Sequence, residues 1–350
     1  MKLIKILLFL TTIFIMNSCS EDNNSTSPQN GKLKIAALID LTGHYAQFGV
    51  EAKQAMDLAI LESKNIEIEY FDTQADLDVA GQQLDKVIKA GGYNVVVTLT
   101  SWVSSGLADK IKANNMLQMA IGSAVFDNPN IKNCVRLTGD VSEEIEYLTS
   151  ILQSYNKIAI MYFNNSYGIG WNTALTASLN NKIAVSIPYI DTQEDFGNDL
   201  EKVKATNPDA LVLISTKEAA KIVKQAANLN INTNIYGVRP TLTNQLLAEP
   251  ASNGLMFTYP DLDESLEIFK AFKDKYGYRM SAFGAEGYDL VKSLDQLYTN
   301  DKKNDVLFTN FKNKAYNGAL GKIKFDENGQ ADYNYVINVV TNGTWEKFTK

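Results

Sequence analysis

Short apolar runs alternate with helix-period faces along most of this chain, and that alternation restricts the fold more than any other feature. The clearest case lies between Tyr93 and Ala124. Val95, Val96 and Val97 form an apolar run that ends in Thr98-Leu99-Thr100-Ser101. Val103, Leu107 and Ile111 follow at i, i+4 and i+8, and a second run, Leu117 to Ile121, ends in Gly122-Ser123. Continuous apolar runs separated by single amphipathic helices demand a parallel sheet covered on both faces. In such a sheet, ligands bind outside the C-terminal strand ends. Thr100, Ser101, Gly122 and Ser123 are therefore candidate ligand-binding residues. Their hydroxyls, with the free N–H groups of a helix N-terminus, suit an anionic group such as a carboxylate. Helix capping is the competing role for Ser and Thr; two adjacent turns of the same kind favour the ligand.

The same grammar holds on either side. Leu33 to Ile39 and Ile66 to Phe71 read as strands. Ala52, Ala55, Met56, Ala59 and Ile60 mark a helix between them, and a further helix spans about Asp76 to Ala90, stopped by Gly91-Gly92. A second series opens near Val141, with strands at Lys157–Tyr162, Ile183–Ile187, Ala210–Ile214 and Asn234–Gly237. Each series is long enough for its own core. The last third differs: long helices over Leu262–Tyr276 and Ser281–Tyr298 precede a β-meander with Asn-Gly turns at Asn328-Gly329 and Asn342-Gly343.

The N-terminus reads as a targeting segment. Lys2 and Lys5 precede a mostly apolar stretch, Ile6 to Met16, too short to span a bilayer comfortably. Met16-Asn17-Ser18-Cys19 follows and resembles a relaxed bacterial lipobox. This implies a lipoprotein signal peptide over 1–18, cleavage before Cys19 and lipid on the Cys19 thiol, which anchors the chain to a membrane. An ordinary secretory signal is the alternative. Residues 19–31 form a polar tether without a packing residue. The formal net charge of −7 becomes −9 once Lys2 and Lys5 leave with the signal, which argues against a nucleic-acid partner. With Cys19 acylated only Cys134 remains, so no disulfide or zinc pattern forms within the chain.

Several segments together carry a family resemblance. Leu41-Thr42-Gly43-His44-Tyr45-Ala46-Gln47-Phe48-Gly49 is similar to a TGxYAxYG first turn. Tyr167-Gly168 opens a helix after a polar turn, and Asn207-Pro208-Asp209 precedes an apolar strand. Phe272, Tyr276-Gly277, Ser281 and Gly287-Tyr288-Asp289 form a spaced helical set, and Gly321-Lys322-Ile323-Lys324-Phe325-Asp326-Glu327-Asn328-Gly329 closes it. In order and spacing these resemble the leucine/isoleucine/valine-binding family of type I periplasmic binding proteins, over Leu33 to Phe348. The resemblance implies an α/β fold of two doubly wound, Rossmann-like lobes joined by a three-strand hinge. Lobe 1 is expected at 32–139 plus 260–319 and lobe 2 at 140–259 plus 320–350, with crossovers near Thr138–Asp140, Thr258–Pro260 and Ala319–Gly321.

The resemblance also implies that Thr100, Ser101, Gly122, Ser123 and Ala124 receive a ligand carboxylate, although Ala124 stands where the family usually has Thr. Tyr45, Phe48, Trp102 and Tyr167 are candidate aromatic walls; packing is the alternative for each. In lobe 2, Thr216 lies where the family tends to have an aromatic. Arg239 stands where amino-acid binders place an acidic residue for the α-ammonium. A cleft-facing Arg239 would repel an ammonium and favour an anionic ligand. His44, the only histidine, is expected in a solvated turn.

The implied function is a lipid-anchored cell-envelope protein, on the periplasmic side or at the cell surface. It would close over a small amino-acid-like or carboxylate-bearing ligand and pass it to an ABC permease. A sensor or regulatory lipoprotein that binds a partner protein is the alternative. No Walker A segment, GxSxG elbow, HExxH or complete GxGxxG is present, so no enzyme activity, metal or cofactor is expected. A monomer is expected.

Overall fold

A computed structural model describes residues 31–123 and 134–349. The chain opens with β1 (Leu33–Ile39), α1 (Ala46–Glu62), β2 (Ile66–Asp72), α2 (Leu77–Ala90), β3 (Val95–Leu99), α3 (Ser101–Ala113), β4 (Leu117–Ile121) and β5 (Cys134–Arg136). All five strands are parallel, in the order β2-β1-β3-β4-β5. β3 and β4 are buried along their whole length, as continuous apolar strands should be. Asp76 caps α2 by accepting from the Val79 N–H, and Gly91, at φ +68°, ends it.

The second series comprises α4 (Val141–Leu152), β6 (Ile158–Phe163), α5 (Ser166–Leu179), β7 (Ile183–Tyr189), α6 (Gly197–Thr206), β8 (Ala210–Ile214), α7 (Glu218–Asn228), β9 (Asn234–Gly237), α8 (Asn244–Ala248) and β10 (Met256–Pro260). Strands β7-β6-β8-β9-β10 run parallel in that order. The chain then returns to the first body with α9 (Glu267–Tyr276), α10 (Ala282–Leu297) and α11 (Asn304–Phe311). Phe272, Leu290, Leu294 and Phe308 from these helices join the core under β1, β3 and β4.

The closing strands do not form one meander. β11 (Ala315–Gly318), β12 (Gly321–Phe325) and β13 (Ala331–Asp332) make a separate antiparallel sheet. Ile323, Phe325 and Ala331 belong to the first core. Only β14 (Tyr335–Thr341) and β15 (Thr344–Lys347) enter the second sheet, with β14 antiparallel to β10. Asn342-Gly343 is the two-residue turn between them, both residues at positive φ. The third crossing therefore lies at Tyr333–Tyr335 rather than at Ala319–Gly321. The physical reason is Asp289 on α10. Its buried carboxylate accepts the Ala319 and Leu320 N–H groups, each at 2.8 Å, and ties that turn to the first body. The three crossings lie side by side. Gly139 donates to the Tyr333 hydroxyl at 2.6 Å, Gln330 Nε2 donates to the Thr138 carbonyl at 2.7 Å, and the Asp261 N–H donates to the Asn334 carbonyl at 2.9 Å.

Three buried carboxylates brace the first body in the same manner. Asp40 accepts from the Thr73 hydroxyl and the Ala75 N–H. Glu51 accepts from both the N–H and the hydroxyl of Ser281, joining α1 to the start of α10. Asp289 holds the turn just described. Burial pushes Asp40 up to about 6 and Glu51 and Asp289 up to about 7, against the hydrogen bonds that favour their charged forms. The folded state thus binds these protons more tightly than the unfolded chain, so stability falls as pH rises from about 4 through 7. One unit of such a shift is worth about 1.4 kcal/mol. Melting followed by calorimetry should give a Tm several degrees higher at pH 5.5 than at pH 7.5; a lower Tm at pH 5.5 would contradict this account.

Candidate functional site

In both sheets the strand order reverses beside the first strand of the series: between β1 and β3 in one, and between β6 and β8 in the other. Such switch points open a crevice at the C-terminal strand ends. The two crevices face each other across one cavity. The loop after β1 brings Tyr45 and Phe48, β3 and its loop bring Leu99, Thr100, Ser101 and Trp102, and the end of β4 brings Gly122. From the other side come Phe163, Asn165 and Tyr167 around the end of β6, Ile214, Ser215 and Thr216 after β8, and Arg239 and Pro240 after β9. Phe283 on α10 completes the wall. The space open to water centres is ≈ 50 Å³, which suits a small ligand.

Nine of the sequence-derived candidates meet here: Tyr45, Phe48, Thr100, Ser101, Trp102, Gly122, Tyr167, Thr216 and Arg239. Ser123 does not. It is fully buried outside this wall, its N–H donates to Thr138 Oγ1 at 3.0 Å, and its hydroxyl has no partner among the described residues. The chain turns away after Gly122, whose φ is +57°, and that bend is not readable from residue types. Cys19 and Ala124 lie outside the described residues.

Thr100 carries the most specific geometry. It precedes α3 at φ +70° and ψ 147°, a region nearly reserved for glycine and costly for a β-branched residue. Its hydroxyl caps nothing and has no partner among the described residues, although the residue is only 7% exposed. A strained residue on a cavity wall at a helix N-terminus, with a buried hydroxyl that has no partner among the described residues, is a candidate seat for a hydrogen-bonding anion. Capping, the alternative role for Thr100, is not what this hydroxyl does.

Aromatic rings form the remaining wall. Phe48 stacks on Phe283 with ring centroids 4.1 Å apart, and Tyr45 packs against Trp102 at 5.1 Å. Trp102 Nε1 donates to the Ala75 carbonyl at 3.1 Å, which fixes its ring. Burial holds the Tyr45 and Tyr167 hydroxyls above their ordinary pKa, so both remain protonated donors.

Arg239 faces the cavity, but it is not a free cation. Its guanidinium pairs with Glu286 on α10, which is completely buried, and lies 4.9 Å over the Phe283 ring. The other Glu286 oxygen accepts the Gly122 N–H at 2.6 Å, taking one of the donors expected to serve the ligand. Glu144 on α4 accepts the Arg239 backbone N–H at 3.3 Å and the Thr258 hydroxyl. Burial works against the guanidinium charge, yet Glu286 and its neighbours hold the pKa above its ordinary value. The pair crosses between the two bodies. The expectation of an unopposed anion receptor at Arg239 is thus corrected by its counter-ion.

His44 also departs from expectation. Its ring lies over Phe163, with centroids 6.5 Å apart, and its Nε2 is 3.5 Å from Glu218 Oε1, so it reaches across the cleft rather than into solvent. Glu218 Oε2 accepts from the Thr216 hydroxyl at 2.7 Å. Burial holds the His44 pKa below its ordinary value.

Sequence reasoning missed Phe283, Phe163 and Asn165 on the wall and Glu286 behind it. A signal existed for one: a glutamate between Ala285 and Gly287, on a helix whose other small residues face inward, is an acid in need of a buried cation. Among the described residues no group of acidic, histidine or cysteine side chains is arranged to hold a metal, and no helix is long and apolar enough to cross a membrane.

Comparison with known proteins fits this geometry. A family model described as periplasmic binding protein matches residues 32–344. No curated protein matches the chain significantly. Among solved structures, an extracellular ligand binding receptor from Desulfohalobium retbaense is 31% identical, with a TM-score of 0.85 over 91% of this chain and 59% of that one. This chain thus spans less than two thirds of that receptor. The branched-chain amino acid transporter substrate binding protein LivJ from Streptococcus pneumoniae, solved with isoleucine, is 19% identical, with a TM-score of 0.83 over 91% of this chain and 99% of that one. A solute binding protein of an ABC transporter from R. palustris, solved with benzoate, is 17% identical, with a TM-score of 0.80 over 91% and 96%. The chain belongs to the periplasmic binding protein family, and its two-lobed α/β architecture is the type I fold of the Leu/Ile/Val-binding proteins.

Proposed function

We propose that this protein is an extracytoplasmic solute-binding lipoprotein. It captures a small carboxylate-bearing ligand between its lobes, closes over it by motion at the three crossings, and delivers it to an ABC permease. Lipid on Cys19 holds it at the envelope; it acts as a monomer and catalyses no reaction. The observation that carries this reading is Thr100, a residue of the cavity wall with a strained backbone and a hydroxyl that has no partner among the described residues. Thr100, Ser101 and the α3 N-terminus receive the carboxylate, and Tyr45, Phe48, Trp102 and Tyr167 enclose the body of the ligand. Gly122 and Thr216 shape the floor rather than bind directly, and Ser123, buried outside the wall, does not touch the ligand. Isoleucine and benzoate, found in two proteins of this fold, share only a carboxylate on a small apolar body, and that common part fits this wall.

A thermal-shift screen of residues 30–350 against amino acids, dicarboxylates, aromatic acids and short amides tests the reading. A ligand at about 100 times its Kd stabilises by about 2.7 kcal/mol, a rise of several degrees. Thr100→Gly should abolish that rise while leaving the ligand-free Tm unchanged or higher. The variant sheds about 1–3 kcal/mol of strain and loses about 0.5–1 kcal/mol to glycine's chain entropy. A full ligand-induced rise in Thr100→Gly would remove Thr100 from the site, and no rise with any compound would remove solute binding.

A further inference from the structure

Two of the polar stations on the cavity wall differ in kind. On the lobe 1 side stand the Thr100 hydroxyl and the N-terminus of α3. On the lobe 2 side stands Arg239, the one charged side chain among the described residues of the wall. Among the described residues no carboxylate lines the cavity. Glu286 sits behind Arg239 with both oxygens engaged, one by the guanidinium and one by the Gly122 N–H. Glu218 sits behind Thr216, one oxygen on the Thr216 hydroxyl and the other facing His44.

An ammonium placed in this cavity meets a guanidinium and, among the described residues, no acid. Both groups are hydrogen-bond donors only, so the guanidinium offers an ammonium no acceptor and the contact is mismatched even though Glu286 balances the charge. Nor is the Arg239 end built for a second full negative charge, because Glu286 already neutralises it. What remains is donor capacity. Arginine has five N–H donors in a planar fork, and Glu286 is the one side chain its guanidinium donates to among the described residues. The ligand group that matches this station is an uncharged acceptor, a carbonyl or hydroxyl oxygen.

Resting on the solute-binding reading, we infer that the cleft is built for an apolar 2-oxo or 2-hydroxy monocarboxylate. Its carboxylate sits on Thr100 and the α3 N-terminus, its neighbouring oxygen on Arg239, and its side chain among the aromatic rings. Arg239, neutralised by Glu286, is the specificity-determining residue that rejects the matching 2-amino acid. The small volume supports this, since one compact head group must reach both stations. A plain monocarboxylate leaves Arg239 unmatched, and a 2-oxo dicarboxylate brings a charge the aromatic wall cannot solvate.

Isothermal titration of the purified protein separates these classes. The probes are 4-methyl-2-oxopentanoate, 4-methylpentanoate and leucine, then phenylpyruvate and phenylalanine, with 2-oxoglutarate as the dicarboxylate. In at least one series the 2-oxo acid should bind at least about 10-fold tighter than both the plain acid and the amino acid. In Glu286→Gln the Arg239 charge is unopposed, and 2-oxoglutarate should gain at least about 10-fold over the parent. Should that variant not fold, Arg239→Gln serves instead, with the preference for oxo over amino acid lost. Leucine or phenylalanine binding as tightly as its oxo acid overturns the inference and leaves solute binding standing. So does 4-methylpentanoate matching its oxo acid. No binding by any of these acids, together with no hit in the thermal screen, overturns both.

Discussion

Arg239→Met should lose about 3–5 kcal/mol of stability at pH 7.5, the usual result of removing one member of a buried ion pair. The loss comes from what is left behind. Glu286 is fully buried, and without the guanidinium its carboxylate keeps, among the described residues, the Gly122 N–H alone. Glu144 keeps the Thr258 hydroxyl and the backbone N–H at 239, but loses the positive charge that offsets its burial. Glu144, which burial already pushes up, would then favour its protonated form. The deficit should therefore shrink as pH falls from 7.5 to 5.5, whereas loss of packing alone would leave it the same at both pH values. Arg239→Met/Glu286→Met removes both charges and should recover most of the loss, because an apolar pair of similar size often serves as well as the ions. Urea unfolding of the parent, both single variants and the double variant at the two pH values measures the coupling. A single-variant loss below about 1 kcal/mol, or a double variant no better than Arg239→Met, would show that the pair does not hold the lobes as described.

That pair also marks where sequence reading stops. The architecture was legible because the central strands β1, β3, β4 and β8 are buried almost throughout and so read as near-continuous apolar runs. Leu33–Ile39, Leu117–Ile121, Ala210–Ile214 and Asn234–Gly237 coincide with β1, β4, β8 and β9. The cavity wall was legible where it follows directly from a strand end, as at Thr100 and Ser101 after β3, because local order fixes the position. It was not legible where two distant segments meet. Arg239 and Glu286 are 47 residues apart, and nothing in either stretch names the other. The same holds for Asp289, whose grip on the 319–320 turn keeps β12 and β13 on the first body. Ser123 failed for a different reason: a hydroxyl beside a strand end can point either way, and a single bend at Gly122 decides which.

The recurring Tyr-Gly and Phe-Gly pairs have a physical explanation that leads to the second large effect. Gly49 lies in the first turn of α1 and Gly168 in the first turn of α5, each at the lip of the cleft. A methyl on Gly49 would stand 2.0 Å from the Asp40 carbonyl oxygen, and one on Gly168 would stand 1.9 Å from that of Phe163. Both obstacles are backbone at the end of a first strand, so neither can swing aside. The helix start would have to retreat by more than about 1 Å to reach ordinary contact distance. In α5 that retreat would pull the Gly168 N–H from its 2.9 Å bond to the Asn165 cap and carry Tyr167 and Asn165 away from the cavity. Gly168→Ala should therefore destabilise by about 3 kcal/mol, at the upper end for overpacking, and abolish the ligand-induced rise in Tm. Gly49→Ala should do the same through Tyr45 and Phe48. Gly81, in α2, is the internal control, since a methyl there meets nothing within 4 Å. Gly81→Ala should stabilise by about 0.5–1 kcal/mol through helix propensity and lost chain entropy. Urea midpoints for the three variants decide the matter. If Gly168→Ala and Gly81→Ala fall within about 1 kcal/mol of each other, the glycines at the lip do not owe their place to the strand-end carbonyls.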